Sequence, residues 1–164
     1  MTEVTVRTAE HAATQAVGEA LAGLIERGDL VLLSGEMGAG KTAFVQGLGR
    51  GLGVTGRITS PTFTIAHQYA GAQLTIHHLD VYRLEHLNEA LDIGLAEMLD
   101  EGSLVVIEWG DAIAPVLPRD YLEVRFAFGA SDDDRELVFR PVGGQWLARS
   151  RSLDEALSRW SGAC

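Results

Sequence analysis

Gly35-Glu36-Met37-Gly38-Ala39-Gly40-Lys41-Thr42 satisfies G-x-x-x-x-G-K-[ST], the spacing of a phosphate-cradling loop. Lys41 is the only lysine in the chain; the other twelve basic residues are all arginine. A compact ammonium on a flexible stem can reach over such a loop to a phosphate, which a planar guanidinium does less well. Glycines let the backbone wrap an anion with its N–H groups turned inward. The first N–H groups of the following helix lack internal partners and carry the positive end of its dipole. Lys41 is therefore expected to reach the β- and γ-phosphates of a nucleotide, and the Thr42 hydroxyl to hold Mg2+. The competing reading, a plain glycine-rich turn before a helix, explains neither the motif nor the lone lysine.

Such a loop needs a carboxylate to organise metal and water, and two acids come directly after apolar runs. Glu108 ends Leu104-Val105-Val106-Ile107, and Asp80 ends Leu74-Thr75-Ile76-His77-His78-Leu79. Both emerge at the ligand edge if their strands run parallel to the strand before the loop. Mg2+ takes few protein ligands and keeps water, so one acid is expected to bind the metal while the other orients or deprotonates the attacking water. Ser60-Pro61-Thr62-Phe63-Thr64, between the loop helix and the next strand, lies where nucleotide-sensing switches lie, with Thr62 offering a hydroxyl beside a stiffening proline; the alternative is a plain turn, the commoner use of Ser-Pro-Thr. His77 and His78 are strand neighbours that face opposite sides; without further ligand spacing they read as structural. Trp109 comes after Glu108, and its indole suits either core packing or a partner or nucleotide contact.

The elements that must position these groups are visible as periodicities. Asp29 to Ser34 and Leu104 to Ile107 read as buried parallel strands. Phe44, Val45 and Leu48 recur at helical spacing after the loop, and Gly49, Gly51 and Gly53 are expected to end that helix. Val4 and Val6 suggest a first strand. Ala13, Val17, Ala20, Leu21, Leu24 and Ile25 mark an amphipathic helix ending near Gly28. Ile65 to Tyr69 and Leu74 to Leu79 read as two strands joined by Ala70-Gly71-Ala72. Leu84 to Leu99 reads as helix broken at Gly94. Leu122 to Phe128 and Glu136 to Arg140 read as a hairpin across Asp132-Asp133-Asp134. Ser152 has capping-box spacing to Glu155 at the head of a last helix. The expected fold is α/β: a P-loop-type layered domain over residues 1–164 with a mostly parallel, mixed sheet.

Composition narrows the function classes. The 164 residues suit one domain with a real core, and 46% hydrophobic and 22% charged residues are ordinary for a soluble protein. No stretch is apolar enough to span a membrane, and Met1-Thr2-Glu3-Val4 lacks the features of a signal peptide, so a cytoplasmic protein is expected. One cysteine, Cys164, excludes an internal disulfide and a cysteine zinc cluster. A net charge of -10 and a pI near 4.8 make the chain a poor binder of tRNA or DNA by itself. An acidic surface suits a basic protein partner, or simply solubility.

The segments GEMGAGKTAFVQGLGRGLGV, SPTFTIAHQY, HHLDVYRL, LDIGLAEML and VVIEWGD, with LP after them, resemble the TsaE (YjeE) family in order and spacing, from about Thr14 to about Pro118. Usual members read closer to GDLGAGKTT at the loop; Glu36, Met37 and Ala43 depart mildly and remove no phosphate-cradling group. The resemblance implies a small ATPase, with Mg2+ and ATP as cofactors and ADP as product, needed for N6-threonylcarbamoyladenosine in tRNA. It implies action on the partners TsaB and TsaD, where TsaD is the transferase, with ATP hydrolysis resetting that complex and tRNA held mainly by the partners. Carried over by residue, the nucleotide set is Met37, Gly38, Ala39, Gly40, Lys41, Thr42 and Ala43. Thr42 and Glu108 take Mg2+, Asp80 is the hydrolytic acid, Thr62 belongs to the switch and Trp109 to the Glu-Trp pair. His11 and Thr14 lie near base or ribose. The family's nucleotide-contacting arginine corresponds to Arg135, here preceded by three aspartates rather than a glycine. Two other classes compete: a small-molecule kinase, which needs an acceptor pocket and often a lid with clustered arginines, whereas the arginines here are scattered with no dense cluster after the loop, and a nucleotide-dependent interaction module without hydrolysis.

Overall fold

Two pentapeptides buried at every position form the centre of the sheet: β2 (Leu30–Ser34) and β5 (Leu104–Glu108). With both faces covered, such strands have no polar alternation, which is why they read as continuous apolar runs. The computed structural model describes residues 3–59, 66–80, 94–108 and 118–161. The remaining strands are β1 (Val4–Thr8), β3 (Ala66–Ala70), β4 (Thr75–Asp80), β6 (Tyr121–Phe128) and β7 (Arg135–Val142). Their order across one sheet is β1-β7-β6-β2-β5-β4-β3. β6, β2, β5 and β4 are mutually parallel; β7 and β3 pair antiparallel, and β1 returns to the common direction. The sheet is mixed with most strands aligned, as expected, and the β6–β7 and β3–β4 hairpins fall where the alternation of apolar residues puts them.

Helices cover both faces. On one side α1 (His11–Ala22), α2 (Lys41–Gly51) and the last helix pack a core containing Val17, Leu21, Phe44, Leu48, Leu153 and Leu157 over Val31, Leu33, Val106, Val124 and Phe139. On the other, α3 (Leu95–Asp100) sets Leu95 against Leu30, Leu32, Leu79, Val105 and Ile107. α1 and α2 meet through backbone. A Cβ at Gly18 would overlap the carbonyl oxygen of Phe44, and one at Gly47 would overlap the carbonyl of Gln15. Gln15 Nε2 donates to Gln46 Oε1 at 2.9 Å, and Gln46 Nε2 to the Ile58 carbonyl at 3.0 Å, which ties the seam to the next segment.

Three element boundaries differ from those expected of the sequence. Gly49 and Gly51 do not end α2; the helix runs through Gly51, and these glycines face Ile58 and Ala22 side chains, so close packing rather than helix termination explains them. The true end lies just before Gly53, whose φ is +88°. α1 stops at Ala22, and Leu24 and Ile25 pack against the core from the turns after it. Ser152 is not an N-cap: the last helix, α5 (Ser150–Ser161), already includes it, exposed in the first turn. A short helix, α4 (Gly144–Leu147), precedes α5 and has no counterpart among the expected elements. It is fixed by tertiary contacts: Asp120 Oδ1 accepts the Gln145 N–H at 2.8 Å, and Trp146 is buried beneath Arg149. The expected helix from Leu84 lies outside the described residues up to 93; Leu95–Asp100 is helical, after Gly94 in the left-handed conformation.

Candidate nucleotide-binding site

β2 delivers the chain to Gly35 at the C-terminal edge of the sheet, and α2 begins six residues later at Lys41. The turn between them requires glycine. Gly35, Gly38 and Gly40 have φ of 137°, 83° and 106°, and a side chain at Gly35 would run into the Phe126 carbonyl. Gly40 occupies the N-cap of α2 without a side-chain cap, so the helix presents its first N–H groups to the loop.

Lys41 is 6% exposed, and its Nζ donates to the Gly35 carbonyl at 2.5 Å, folding back over the loop it belongs to. Burial pulls its pKa below the ordinary lysine value; the carboxylates of Glu108 and Asp80 oppose that pull. Both acids are therefore within electrostatic reach of the ammonium. Asp80 and Glu108 are the last residues of β4 and β5 and stand in register with each other. Strand alternation places His78 and Asp80 on the face of Ile76, and Glu108 on the face of Leu104 and Val106; Ile76, Leu104 and Val106 belong to the cluster that contains Phe44 of α2. The two acids thus emerge beside Lys41 on the α2 side. Thr42 is partly buried in the first turn of α2.

The histidine pair divides as alternation requires. His78 is fully buried, and its Nε2 lies 3.1 Å from Glu108 Oε2. His77 faces the α3 side, where burial lowers its pKa against the weaker opposing charge of Glu101.

A pocket of about 140 Å³ opens beside the loop, lined by Glu10, His11, Thr14, Gly38, Gly40, Ala43, Asp133 and Arg135. Thr14 is held by a 2.7 Å hydrogen bond to Thr8 between their hydroxyls. Arg135 donates to the carbonyls of Asp132 at 2.6 Å, Asp134 at 2.8 Å and Gly38 at 3.2 Å, and its guanidinium lies 4.7 Å from the Phe128 ring centroid. Two of the three aspartates that distinguish this chain thus orient the arginine through backbone oxygens. Ala39 is buried in the loop, whereas the Met37 side chain is 80% exposed at its tip, so only the backbone of Met37 is available to the cradle. Thr62 and Trp109 lie outside the described residues. The sequence reading did not single out Phe128, and it read His78 as structural without its contact to Glu108. The signal for His78 was present: it shares a strand face with Asp80, two residues on.

Among the described residues no three His, Cys, Asp or Glu side chains converge as a preformed metal cage. The available donors, the Thr42 hydroxyl and two carboxylates, are hard oxygens, which suit Mg2+ completed by phosphate and water rather than a soft-ligand metal.

A buried parallel strand, a glycine loop, a helix beginning with lysine and acids on neighbouring strand ends define a P-loop-type layered α/β protein. The model of the TsaE family, "Threonylcarbamoyl adenosine biosynthesis protein TsaE", matches residues 8–137. A TsaE protein of Bacillus subtilis, named for tRNA threonylcarbamoyladenosine biosynthesis, is 37% identical over 159 residues, 97% of this chain and 96% of the relative. A TsaE protein of Streptomyces coelicolor is 43% identical over 143 residues, 84% of this chain and 96% of the relative. The crystal structure of Bacillus subtilis YdiB superposes with a TM-score of 0.77 at 34% identity, covering 96% of this chain and 95% of that one. The chain belongs to the TsaE family. No helix among the described residues is long and apolar enough to cross a membrane.

Proposed function

We propose that the protein binds ATP with Mg2+ and hydrolyses it in the service of tRNA threonylcarbamoyladenosine formation, acting on a TsaB–TsaD transferase complex rather than transferring the group itself. The observation that carries the reading is the convergence of Lys41, Asp80 and Glu108 at one sheet edge, beside a pocket walled by His11, Thr14 and Arg135.

In this reading Lys41 exchanges its bond to the Gly35 carbonyl for the β- and γ-phosphates, while the loop N–H groups and the α2 terminus take the remaining oxygens. Thr42 and Glu108 hold Mg2+, which neutralises charge on the phosphates. Asp80, one strand over in register with Glu108, orients the attacking water and accepts its proton. The water oxygen bonds to the γ-phosphorus, the bond to the β–γ bridging oxygen breaks, and ADP and phosphate leave. His11, Thr14 and Arg135 hold the nucleoside end. A net charge of -10 favours a protein partner over direct tRNA binding.

The test is ATP turnover by the protein alone and with TsaB–TsaD, in wild type, Asp80→Asn and Glu108→Gln. Partner stimulation is expected. Asp80→Asn should bind Mg·ATP yet hydrolyse it about 100-fold or more slowly, whereas Glu108→Gln should weaken metal-dependent binding. Phosphate transfer to an added metabolite would overturn the reading in favour of a kinase, and absence of product in a single turnover would leave a binding module.

A further inference from the structure

His78 is the one imidazole placed entirely inside the α2-side core among the described residues, and its polar partner there is an acid of the site. The ring is fully buried, between Ile76 and Asp80 on β4 and opposite Val106 on β5. Its Nε2 meets Glu108 Oε2 at 3.1 Å, and Glu108 is itself 3% exposed. Its Nδ1 is buried without a hydrogen-bond partner.

An apolar side chain at 78 would match Ile76 and Val106 and spare the orphaned Nδ1, but it would take from the buried Glu108 Oε2 its hydrogen-bond partner, so the imidazole is explained by the carboxylate rather than by packing. The bond to Glu108 assigns the ring chemistry. A carboxylate accepts, so Nε2 carries the hydrogen, and Nδ1 is left as an unpaired acceptor. An orphaned lone pair is the less costly of the two tautomeric outcomes, because an orphaned N–H would face apolar walls while Nε2 pointed its lone pair at a carboxylate.

Resting on the reading of Glu108 as a cation ligand, we infer that His78 is a positioning residue for that carboxylate. By donating from Nε2 to Oε2 it fixes the rotation of the carboxyl group and leaves Oε1 as the oxygen that meets the ion. Outer partners of this kind orient a ligating oxygen before the ion arrives. The pairing depends on β4 and β5 being adjacent and parallel in this register.

The test uses the full chain. His78→Gln retains a donor at the Nε2 position; His78→Leu keeps bulk without one. Binding of a non-hydrolysable imido analogue of ATP is titrated at varied Mg2+, and again in excess chelator. His78→Leu should need about 10-fold or more Mg2+ for half-maximal binding while its metal-free nucleotide affinity stays within about threefold of wild type, and His78→Gln should recover most of the loss. In the nucleotide-free wild type, long-range 1H–15N spectra should show His78 as the Nε2–H tautomer. A Leu variant with the wild-type Mg2+ requirement, a Gln variant as impaired as Leu, or an Nδ1–H tautomer would each overturn the inference. Wild-type binding indifferent to Mg2+ would instead overturn the metal reading of the site, and this inference with it. Should His78→Leu fail to fold, the Gln variant and the wild-type spectrum still decide between these outcomes.

Discussion

Replacing Lys41 by methionine keeps the length of the stem and removes the ammonium. In the free protein Nζ donates to the Gly35 carbonyl, and Lys41 is only 6% exposed. Binding ATP exchanges that bond for contacts with two phosphates. A charge-assisted hydrogen bond contributes about 1.5–3 kcal/mol, so two gained against the one to Gly35 given up leaves a net of about that size. Removing the cation also leaves Glu108 and Asp80 uncompensated next to a polyanion, which raises the expected loss to about 2–4 kcal/mol, or roughly 30- to 700-fold in Kd. The fold should survive. Losing the charged donor to Gly35 costs about 1.5–3 kcal/mol, and relief of a buried ammonium, already disfavoured enough to lower its pKa, offsets part of it. Calorimetric titration with Mg·ATP, beside a thermal melt of each protein, measures both quantities. Lys41→Arg separates charge from shape: it should fold but fail to hydrolyse, because a planar fork must occupy a space between loop carbonyls suited to a point charge. A methionine variant that binds ATP within about threefold of wild type would refute the assignment of Lys41 to phosphate.

Gly47→Ala should lower Tm by about 3–8 °C, since overpacking against the rigid Gln15 backbone outweighs the roughly 1 kcal/mol gained in helix propensity; an unchanged melt would show the α1–α2 seam to be loose. His77 contributes a pH dependence of definite sign. Its folded pKa lies below its unfolded value, so folded and unfolded states are equally neutral above about pH 6.5, and stability falls as acid protonates the unfolded chain first, by at most about 1.4 kcal/mol per pH unit. Urea titrations at pH 7.5 and 5.5 should show a smaller acid loss in His77→Gln than in wild type, and identical losses would remove His77 as the cause. Arg149 forks onto Asp29 with bonds of 2.7 and 2.9 Å and also donates to the Leu24 carbonyl at 3.0 Å. Arg149→Met should cost about 3–5 kcal/mol in urea denaturation by stranding a buried carboxylate, with partial recovery on adding Asp29→Asn. Because Asp29 precedes β2 at the edge opposite the loop, nucleotide affinity of the folded fraction should not change.

Local chemistry determined much of this protein. The strand–loop–helix unit is encoded in consecutive residues: an apolar run, glycines where φ must be positive, and a lysine at the first helical position. Asp80 and Glu108 were legible for the same reason, each being the acid that closes a buried strand. His11, Thr14 and Arg135 were reached only through family likeness, because nothing local says that α1 and the start of β7 border the loop. Tertiary structure decided those neighbours. It inserted β6 between β7 and β2, drew α1 onto α2 through Gly18 and Gly47, and set Arg135 within 3.2 Å of a carbonyl ninety-seven residues earlier. It also turned two adjacent histidines into different groups, one on the α3 face and one against Glu108. Periodicity states which side chains share a face of their own strand; it does not state which strand lies alongside. A shift of one residue between β4 and β5 would carry His78 away from Glu108, so that contact exists only once the parallel register has formed.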